Sequence, residues 1–254
     1  MARHNVPDVA LLRADALAPV TRGAVLVADP ARRTGAGRRT WRAFTPDLDA
    51  LVDAADGRDL VVSTAPGLDF ATAPWAAEVE LVSLDGRVRE AALWSAGLAT
   101  TGPSSGRRRA TVLSSHGPGW ELTDADDDTC GVREVGEWLV DPDGAVVRAG
   151  LVRQYGARHG LGRIDEHLAY LTGDTPPPGR AFRVLEDGRY SEKVLRQVLR
   201  RRGVGRVEIL VRGLDVDPAL LRPRLKLQGP DEATVVLARL DDGPHAFVCR
   251  ARMN

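Results

Sequence analysis

The stretch VLVADPARR, at residues 25–33, decides how the first part of the sequence can fold. Its first four residues are apolar on both faces, which predicts a buried strand of a parallel sheet. Asp29 and Pro30 then end the strand, because proline lacks the N–H that a sheet ladder needs. In open α/β sheets, ligands bind at the carboxyl ends of the strands, and this stretch places a carboxylate and a rigid turn at such an end.

Asp29, Pro30, Arg32 and Arg33 have two interpretations. The acid could accept a hydrogen bond from a substrate amine or take its proton, and a nearby guanidinium could hold a phosphate through two hydrogen bonds. The alternative is a strand-ending Asp-Pro turn followed by solvated arginines, since motifs of four residues recur by chance. Spacing alone favours this alternative, so the decision depends on the rest of the chain.

The sequence that follows alternates helix and strand patterns. TPDLDALVDAAD (45–56) predicts a helix with Thr45 as its cap and Pro46 at its first position. Apolar runs predict further strands at residues 60–69, which Pro66-Gly67 interrupts, at 78–94 on both sides of the turn Asp85-Gly86, and at 109–113. Parallel-type strands with a crossover helix and a hairpin at one edge indicate an α/β sheet.

The last part of the chain shows a different mixture of patterns. Helices are predicted at residues 141–160, at 191–203 with Ser191 as cap, and at 217–227 with Asp217 as cap. Strands are predicted at 207–211, 233–240 and 245–251. This order predicts a smaller α+β domain.

Charge is distributed unevenly, although the formal net charge is zero. Residues 120–143 hold nine acids against the single base Arg133, whereas residues 190–226 hold ten bases against four acids. Together with the turn-rich composition of residues 114–136, this predicts a first domain at 1–113, an acidic linker at 114–136 and a second domain at 137–254.

The composition narrows the class of protein. Cys130 and Cys249 are too few for a disulfide framework, and neither they nor the five histidines show the spacing of metal ligands. No apolar run approaches the length of a membrane span or of a signal peptide. A cytoplasmic protein without a metal is therefore expected, and the sequence leaves the oligomeric state open.

Longer segments carry a resemblance to a known family. VLVADPARR, VVSTAPGLD (61–69), GEWLVDPDGAVVRAGLV (136–152), RAFRVLE (180–186) and RRRGVGRVEILVRGLDVDP (200–218) are similar to bacterial class I S-adenosylmethionine-dependent methyltransferases with a C-terminal THUMP-like domain. The resemblance covers nearly the whole chain. It implies a partial Rossmann-like methyltransferase sheet, S-adenosylmethionine as cofactor and, by analogy with THUMP domains, a structured RNA such as tRNA or rRNA as partner.

The resemblance also assigns roles to single residues. Asp29, Pro30 and Arg32 match the motif beside the methyl-transfer site, and Asp15 matches the acid that holds the adenine amino group. Substrate-binding roles are implied or predicted for a further set: Arg33, Pro66, Gly67, Arg200, Arg201, Arg202 and Arg206. A lysine often precedes the Pro-Gly pair in the family, and Ser63-Thr64 stand there in this chain.

One part of the family pattern does not match. The first strand, the glycine-rich cofactor loop and the acid that binds ribose would precede residue 2 in that pattern. No Gly-x-Gly stands before Asp15, and Gly35-Ala36-Gly37 comes only after the Asp-Pro motif. The expectation is a chain that begins inside the methyltransferase domain and lacks this loop.

Two function classes remain open at this point. The first is an enzyme, the substrate-side half of a methyltransferase acting on RNA. The second is a catalytically incomplete protein that binds RNA through its THUMP-like domain. For Arg200, Arg201 and Arg202, which close the helix at residues 191–203, outward-pointing side chains are predicted, and either RNA contact or a solvated face would explain them.

Overall fold

The computed structural model describes residues 11–32, 44–100 and 107–251. The chain divides into two compact units, one ending at Ala125 and one beginning at Asp126. Each unit is built on its own sheet. The predicted combination of an α/β first part and an α+β second part is confirmed. Arg33, one of the predicted substrate-binding residues, lies outside the described residues.

The first unit contains eight described strands, one α-helix and a short 3-10 helix at Phe70–Thr72. In chain order they are β1 (Leu26–Ala28), β2 (Ala31–Arg32), β3 (Phe44–Thr45), α1 (Leu48–Ala55), β4 (Leu60–Thr64), β5 (Glu78–Leu84), β6 (Arg87–Trp94), β7 (Arg108–Ser114) and β8 (Gly117–Thr123). Six of the strands form one sheet in the order β1-β4-β6-β5-β7-β8, and β2 pairs with β3.

The strand directions determine which loops share an edge of this sheet. β1 and β4 are parallel neighbours, with Ala28 opposite Val62. β6 runs antiparallel to both β4 and β5, and β5 is parallel to β7. The chain segments that follow β1 and β4 therefore leave the sheet at the same edge.

Helix α1 begins two residues later than the sequence predicts. Asp47, not Thr45, is its N-cap, because the Asp47 carboxylate accepts a hydrogen bond from the N–H of Ala50. Thr45 instead belongs to β3. Leu48, Leu51 and Ala55 are buried on one face, as their spacing predicts, and the helix ends at Asp56 in the left-handed conformation.

The strand predicted at residues 25–29 is present as β1, but the prediction that it is buried is wrong. Val27 is 80% exposed and Val25 is 47% exposed. Among the described residues, β1 is an edge strand that pairs only with β4. An apolar run at a sheet edge has the same composition as one at the centre, so periodicity cannot distinguish them.

The segment predicted as an acidic linker contains a strand of the first sheet. Residues 117–123 form β8 and extend the first sheet. Further along, the N–H of Arg133 donates to the carbonyl of Arg163, which ties this part of the segment to the second unit. The acids are partly neutralised by a neighbouring helix, since Asp128 pairs with Arg153 at 3.3 Å and Asp126 with Arg158 at 3.5 Å.

The second unit consists of seven strands and four helices among its described residues. They are β9 (Trp138–Val140), α2 (Gly144–Ala149), α3 (Val152–Arg158), β10 (Gly162–Arg163), β11 (Leu171–Gly173), β12 (Ala181–Arg189), α4 (Glu192–Arg201), β13 (Val204–Arg212), α5 (Pro218–Arg224), β14 (Asp231–Leu240) and β15 (Gly243–Ala251). The sheet order is β10-β11-β9-β12-β15-β14-β13.

The helix predicted at residues 141–160 is in fact two helices, α2 and α3. Gly150 separates them with a φ of 70°, a conformation that glycine adopts without steric cost. Its N–H closes α2 by donating to the carbonyl of Val147. The apolar spacing of both helices is similar, which is why the sequence pattern runs across the break.

Apolar side chains cover both faces of the second sheet. On one face, α4 and α5 pack over β13, β14 and β15 through Leu195, Leu199 and Leu221. On the other face, Tyr170 and Phe182 pack against Val236, Phe247 and further residues of the same strands. No helix in the described ranges is long and apolar enough to cross a membrane.

Candidate functional site

The carboxyl edge of the first sheet brings together two of the predicted motifs. Asp29 follows β1 directly, and Pro66-Gly67 lies two residues beyond the end of β4. Since β1 and β4 are parallel neighbours in register, both motifs leave the same edge. Asp29 is exposed there, whereas Pro30 is buried. The carboxylate is thus presented to solvent from a turn whose proline is fixed in the fold.

The backbone after Pro30 is held by a second ladder. Ala31 and Arg32 form β2, in which Arg32 lies opposite Phe44 of β3. Phe44 is only 4% exposed and so anchors this ladder. A short strand pair therefore fixes the direction in which the chain leaves Asp29.

The two hydroxyls before Pro66-Gly67 are used inside the sheet. Ser63 donates from Oγ to Oε2 of Glu90 at 3.1 Å, and Thr64 donates from Oγ1 to the carbonyl of Ala91 at 3.2 Å. Both acceptors lie on β6. These hydroxyls hold the end of β4 against β6, and the turn that follows is closed by a hydrogen bond from the N–H of Leu68 to the carbonyl of Ala65.

Asp15 lies in an exposed turn before β1. Its Oδ1 accepts a hydrogen bond from the N–H of Leu17 at 2.9 Å, and its carbonyl accepts one from Ala18 at 3.1 Å. Large apolar side chains on the same segment are exposed, namely Leu12 at 73%, Leu17 at 42% and Val20 at 61%. The turn thus combines a carboxylate with uncovered apolar surface.

A buried ionic network in the first sheet was not predicted. Arg109 of β7 donates from Nε to Oε1 of Glu78 on β5 at 2.6 Å, and from Nη1 to Oε2 of Glu121 on β8 at 2.6 Å. It also donates to the hydroxyl of Thr100. These hydrogen bonds raise the pKa of the Arg109 guanidinium, with Glu78 contributing most. The network joins three strands and has no exposed cation to offer a substrate.

The predicted arginine cluster of the second unit is only partly available to a partner. Arg201 and Arg202 both bind Glu186, at 2.8 Å and 3.3 Å, and Arg202 also donates to the carbonyl of Leu185 at 2.7 Å. Arg206 pairs with Glu232 at 2.8 Å. The prediction that all three arginines at 200–202 point outward is wrong for Arg202, because its guanidinium is held against β12.

Arg200 differs from its two neighbours. It lies in the last turn of α4, where its side chain is exposed. Lys193 and Arg196 belong to the same helix, whose buried face is formed by Leu195, Val198 and Leu199. The basic surface that remains on α4 is therefore smaller than the sequence suggests.

The chain is similar to known proteins along most of its length. Residues 179–251 match the family described as THUMP domain-like. Two relatives from Mycobacterium tuberculosis, strains CDC 1551 and H37Rv, are named uncharacterized S-adenosylmethionine-dependent methyltransferases. Each is 51% identical over 263 residues, which cover 98% of this chain and 72% of the relative.

A solved structure shows the same fold. It is a crystal structure of a protein described as a candidate methyltransferase from Porphyromonas gingivalis W83, with a TM-score of 0.68 at 22% sequence identity. The match covers 89% of this chain, which spans 58% of the length of that structure. From the extent and identity of the match to the mycobacterial relatives, the chain belongs to the family of S-adenosylmethionine-dependent methyltransferases with a THUMP-like C-terminal domain.

Proposed function

We propose that this chain forms the substrate-side part of an S-adenosylmethionine-dependent methyltransferase that acts on RNA. The proposal rests on one observation above all, the position of Asp29 and of Pro66-Gly67 at the ends of two adjacent parallel strands. Ligands of open α/β sheets bind at this edge. The methyl-transfer site is therefore assigned to the first unit and RNA binding to the second.

Asp29 acts on the group that receives the methyl. Its exposed carboxylate accepts a hydrogen bond from a target amine or hydroxyl and takes the proton that the target loses. Pro30 and the β2–β3 ladder keep this carboxylate at the edge, because a buried proline and a paired backbone leave the turn little freedom. Pro66-Gly67 forms the opposite wall of the substrate site in this proposal.

The residues near Asp15 fit the cofactor's adenine. S-adenosylmethionine supplies a methyl group on a sulfonium sulfur when it is bound. An adenine ring is flat and largely apolar, with an amino group at its edge. The exposed Leu12, Leu17 and Val20 offer apolar cover for such a ring, and Asp15 offers a carboxylate for the amino group.

The second unit binds the RNA in this proposal. The support is its similarity to the THUMP-like family and the basic surface of α4, where Arg200 is the exposed member of the predicted set. Arg201, Arg202 and Arg206 contribute less, because each is engaged with a carboxylate. Phosphate binding through exposed arginines would make the affinity for RNA fall as salt rises.

A transfer assay tests the proposal. The full chain is incubated with S-adenosylmethionine labelled in its methyl group and with bulk tRNA and rRNA. We expect the RNA to become labelled, so that ribonuclease removes the label and protease does not. Asp29→Asn should lower the rate at least tenfold without changing thermal stability, since Asp29 is exposed.

Asp53→Asn is the matched control. Asp53 is exposed in the last turn of α1, which leads into the amino end of β4, so it lies at the opposite edge of the sheet. Its replacement should leave transfer unchanged. Equal loss in both variants would contradict the role of Asp29, and RNA binding without any label transfer would support a catalytically incomplete RNA-binding protein.

A further inference from the structure

The second unit contains a buried hydroxyl that the fold does not satisfy. Tyr170 is 1% exposed, and its Oη has no hydrogen-bond partner among the described residues. Its ring packs in the apolar cluster with Leu139 and Phe182. Burial raises the pKa of this phenol above its usual range, and the charges of Asp141, Arg212 and Arg180 also act on it. Buried polar groups are hydrogen-bonded in most structures, so this hydroxyl distinguishes Tyr170 from the other residues of the cluster.

Two guanidinium groups lie over aromatic rings of this cluster. Arg212, the last residue of β13, places its Cζ 5.8 Å from the centre of the Tyr170 ring. Arg180, immediately before β12, places its Cζ 5.1 Å from the centre of the Phe182 ring. Both arginines are exposed, whereas both rings are buried. Each cation therefore has a buried ring nearby on the protein side and is itself exposed to solvent.

A carboxylate accompanies the two stacked arginines. Asp141 follows β9, and its side chain is 15% exposed. Its N–H donates to the carbonyl of Arg180, and its Oδ2 lies 3.6 Å from Nη1 of Arg180. Burial raises the pKa of Asp141, against the effect of Arg212 and Arg180. Glu208 holds Arg180 from the other side at 2.7 Å.

Arg180 and Arg212 differ in the partners that they bind. Arg180 is held by Asp141 and Glu208, whereas the hydrogen bond that the structure records for Arg212 runs to its own strand, at the carbonyl of Val211. An anionic phosphate would be repelled by the two acids. A neutral, flat ligand could instead stack on Arg212 and donate hydrogen bonds to Asp141.

We propose that Arg212, Tyr170 and Asp141 form a binding site for one unpaired nucleobase with hydrogen-bond donors on its edge, guanine in particular. The base stacks on the outer face of the Arg212 guanidinium. Asp141 accepts from the N1–H and the exocyclic amine of guanine, a pair of donors that a carboxylate matches. This inference deepens the proposed function and rests on it, because it names the part of an RNA that the second unit recognises.

Binding to short single-stranded RNA tests the site. The probes are fluorescent oligouridylates that carry one central guanosine, inosine or adenosine, and fluorescence anisotropy gives the Kd for the full chain. We expect the guanosine probe to bind at least fivefold more tightly than the inosine probe, which lacks the exocyclic amine. Arg212→Gln should raise the Kd of the guanosine probe about tenfold, the effect expected for one lost stacking partner.

Further variants separate stacking from edge recognition. Arg212→Lys keeps the charge and loses the planar surface, so it should behave like Arg212→Gln. Asp141→Asn should remove the preference for guanosine over inosine. Arg183→Gln is the matched control, since Arg183 is an exposed arginine of β12 in a loose pair with Glu137 at 3.5 Å, and it should bind all probes as the unmodified chain does.

The outcomes distinguish this site from the proposed function. If bulk tRNA binds and all three probes bind equally, or if Arg212→Gln binds the guanosine probe like the control, the nucleobase site is wrong and the RNA function stands. If neither tRNA nor any probe binds, the RNA function itself is wrong. Circular dichroism of each variant shows whether a loss of binding accompanies a loss of fold.

Discussion

Arg109 and Glu78 form a buried ion pair in the centre of the first sheet, with Nε and Oε1 2.6 Å apart and side chains 7% and 4% exposed. The Glu78 carboxylate also accepts from the N–H of Thr100 at 2.8 Å. One residue thereby secures both β7 and the segment after β6. A charge left alone at this position would have no water to replace its partner.

Glu78→Gln should therefore destabilise the first unit by about 3 kcal/mol, in the range for removing one partner of a buried pair. Arg108→Gln on the same strand is the control, since the Arg108 side chain is half-exposed and meets Asp124 at the surface. It should cost no more than about 1 kcal/mol. Urea denaturation, followed by circular dichroism, measures the change in the free energy of unfolding for both variants. Similar losses would show that the Arg109 network is not strongly desolvated.

Arg202→Gln and Arg200→Gln should affect different properties. We expect the first to lower stability and the second to lower the affinity for RNA. Arg202→Gln removes hydrogen bonds to Glu186 and to the Leu185 carbonyl, so we expect a loss of about 1–2 kcal/mol in stability. Arg200→Gln should change stability by less than about 0.5 kcal/mol, as surface substitutions usually do.

RNA affinity provides the second measurement for this pair. Arg200→Gln should weaken tRNA binding and reduce the slope of log K against log salt by roughly 0.7 to 0.9 for one lost phosphate contact. Arg202→Gln should leave that slope unchanged. A filter-binding series at several salt concentrations checks both, and an unchanged slope for Arg200→Gln would assign that residue to a solvated surface.

Tyr155 should make the second unit sensitive to alkaline pH. Burial raises the pKa of Tyr155 from 10 to about 12, and its hydroxyl donates to the carbonyl of Pro178 at 3.1 Å. The folded chain thus keeps the phenol protonated at a pH where the unfolded chain ionises it. Stability from this group is complete below pH 10 and is lost as the pH rises towards 12.

The comparison with Tyr155→Phe isolates this effect. Between pH 9 and pH 11, the free energy of unfolding should fall by about 1 kcal/mol more for the unmodified chain than for the variant. Tyr170 and Cys249, whose pKa values burial also raises, are present in both proteins and cancel. Parallel curves for the two proteins would mean that Tyr155 ionises as easily in the fold as outside it.

Neither cysteine should react in the folded protein. Cys249 is fully buried and burial raises its pKa to about 12, while Cys130 is 3% exposed and donates from Sγ to the carbonyl of Leu161 at 3.3 Å. The thiolate is the reactive form, so both sites lack it at pH 8. Labelling with a thiol reagent should be at least roughly 100-fold slower than in urea. Stoichiometric labelling within minutes would show that this part of the second unit opens readily.

Local chemistry made some elements predictable. The turn Asp85-Gly86 was predicted from its residue types, and both residues adopt the left-handed conformation, with φ values of 51° and 74°. Asp217 was predicted as a helix cap, and its carboxylate accepts from the N–H of Ala219. In each case the deciding interaction involves residues no more than a few positions apart.

The remaining contacts depend on tertiary structure, which the sequence pattern does not reveal. Glu78 and Arg109 are 31 positions apart and meet only because β5 pairs with β7. Tyr170 and Arg212 meet without any pairing between their strands, because Tyr170 packs in the apolar cluster on one face of the second sheet. The position of Asp29 at the carboxyl edge followed from the strand pattern, but the exposure of Val27 did not, since composition does not reveal which strand forms an edge.

The position of β15 determines the order in which the second unit can assemble. β15 is its last strand in chain order, yet it lies near the middle of the sheet between β12 and β14. Until residues 243–251 are available, β12 has no partner on that side and the parallel pair β13–β14 has no connection to the rest of the sheet. The ribosome must therefore release almost the entire unit before its core can close, so the unit folds only after residues 243–251 are made, and nascent β12 and β14 need protection from other chains.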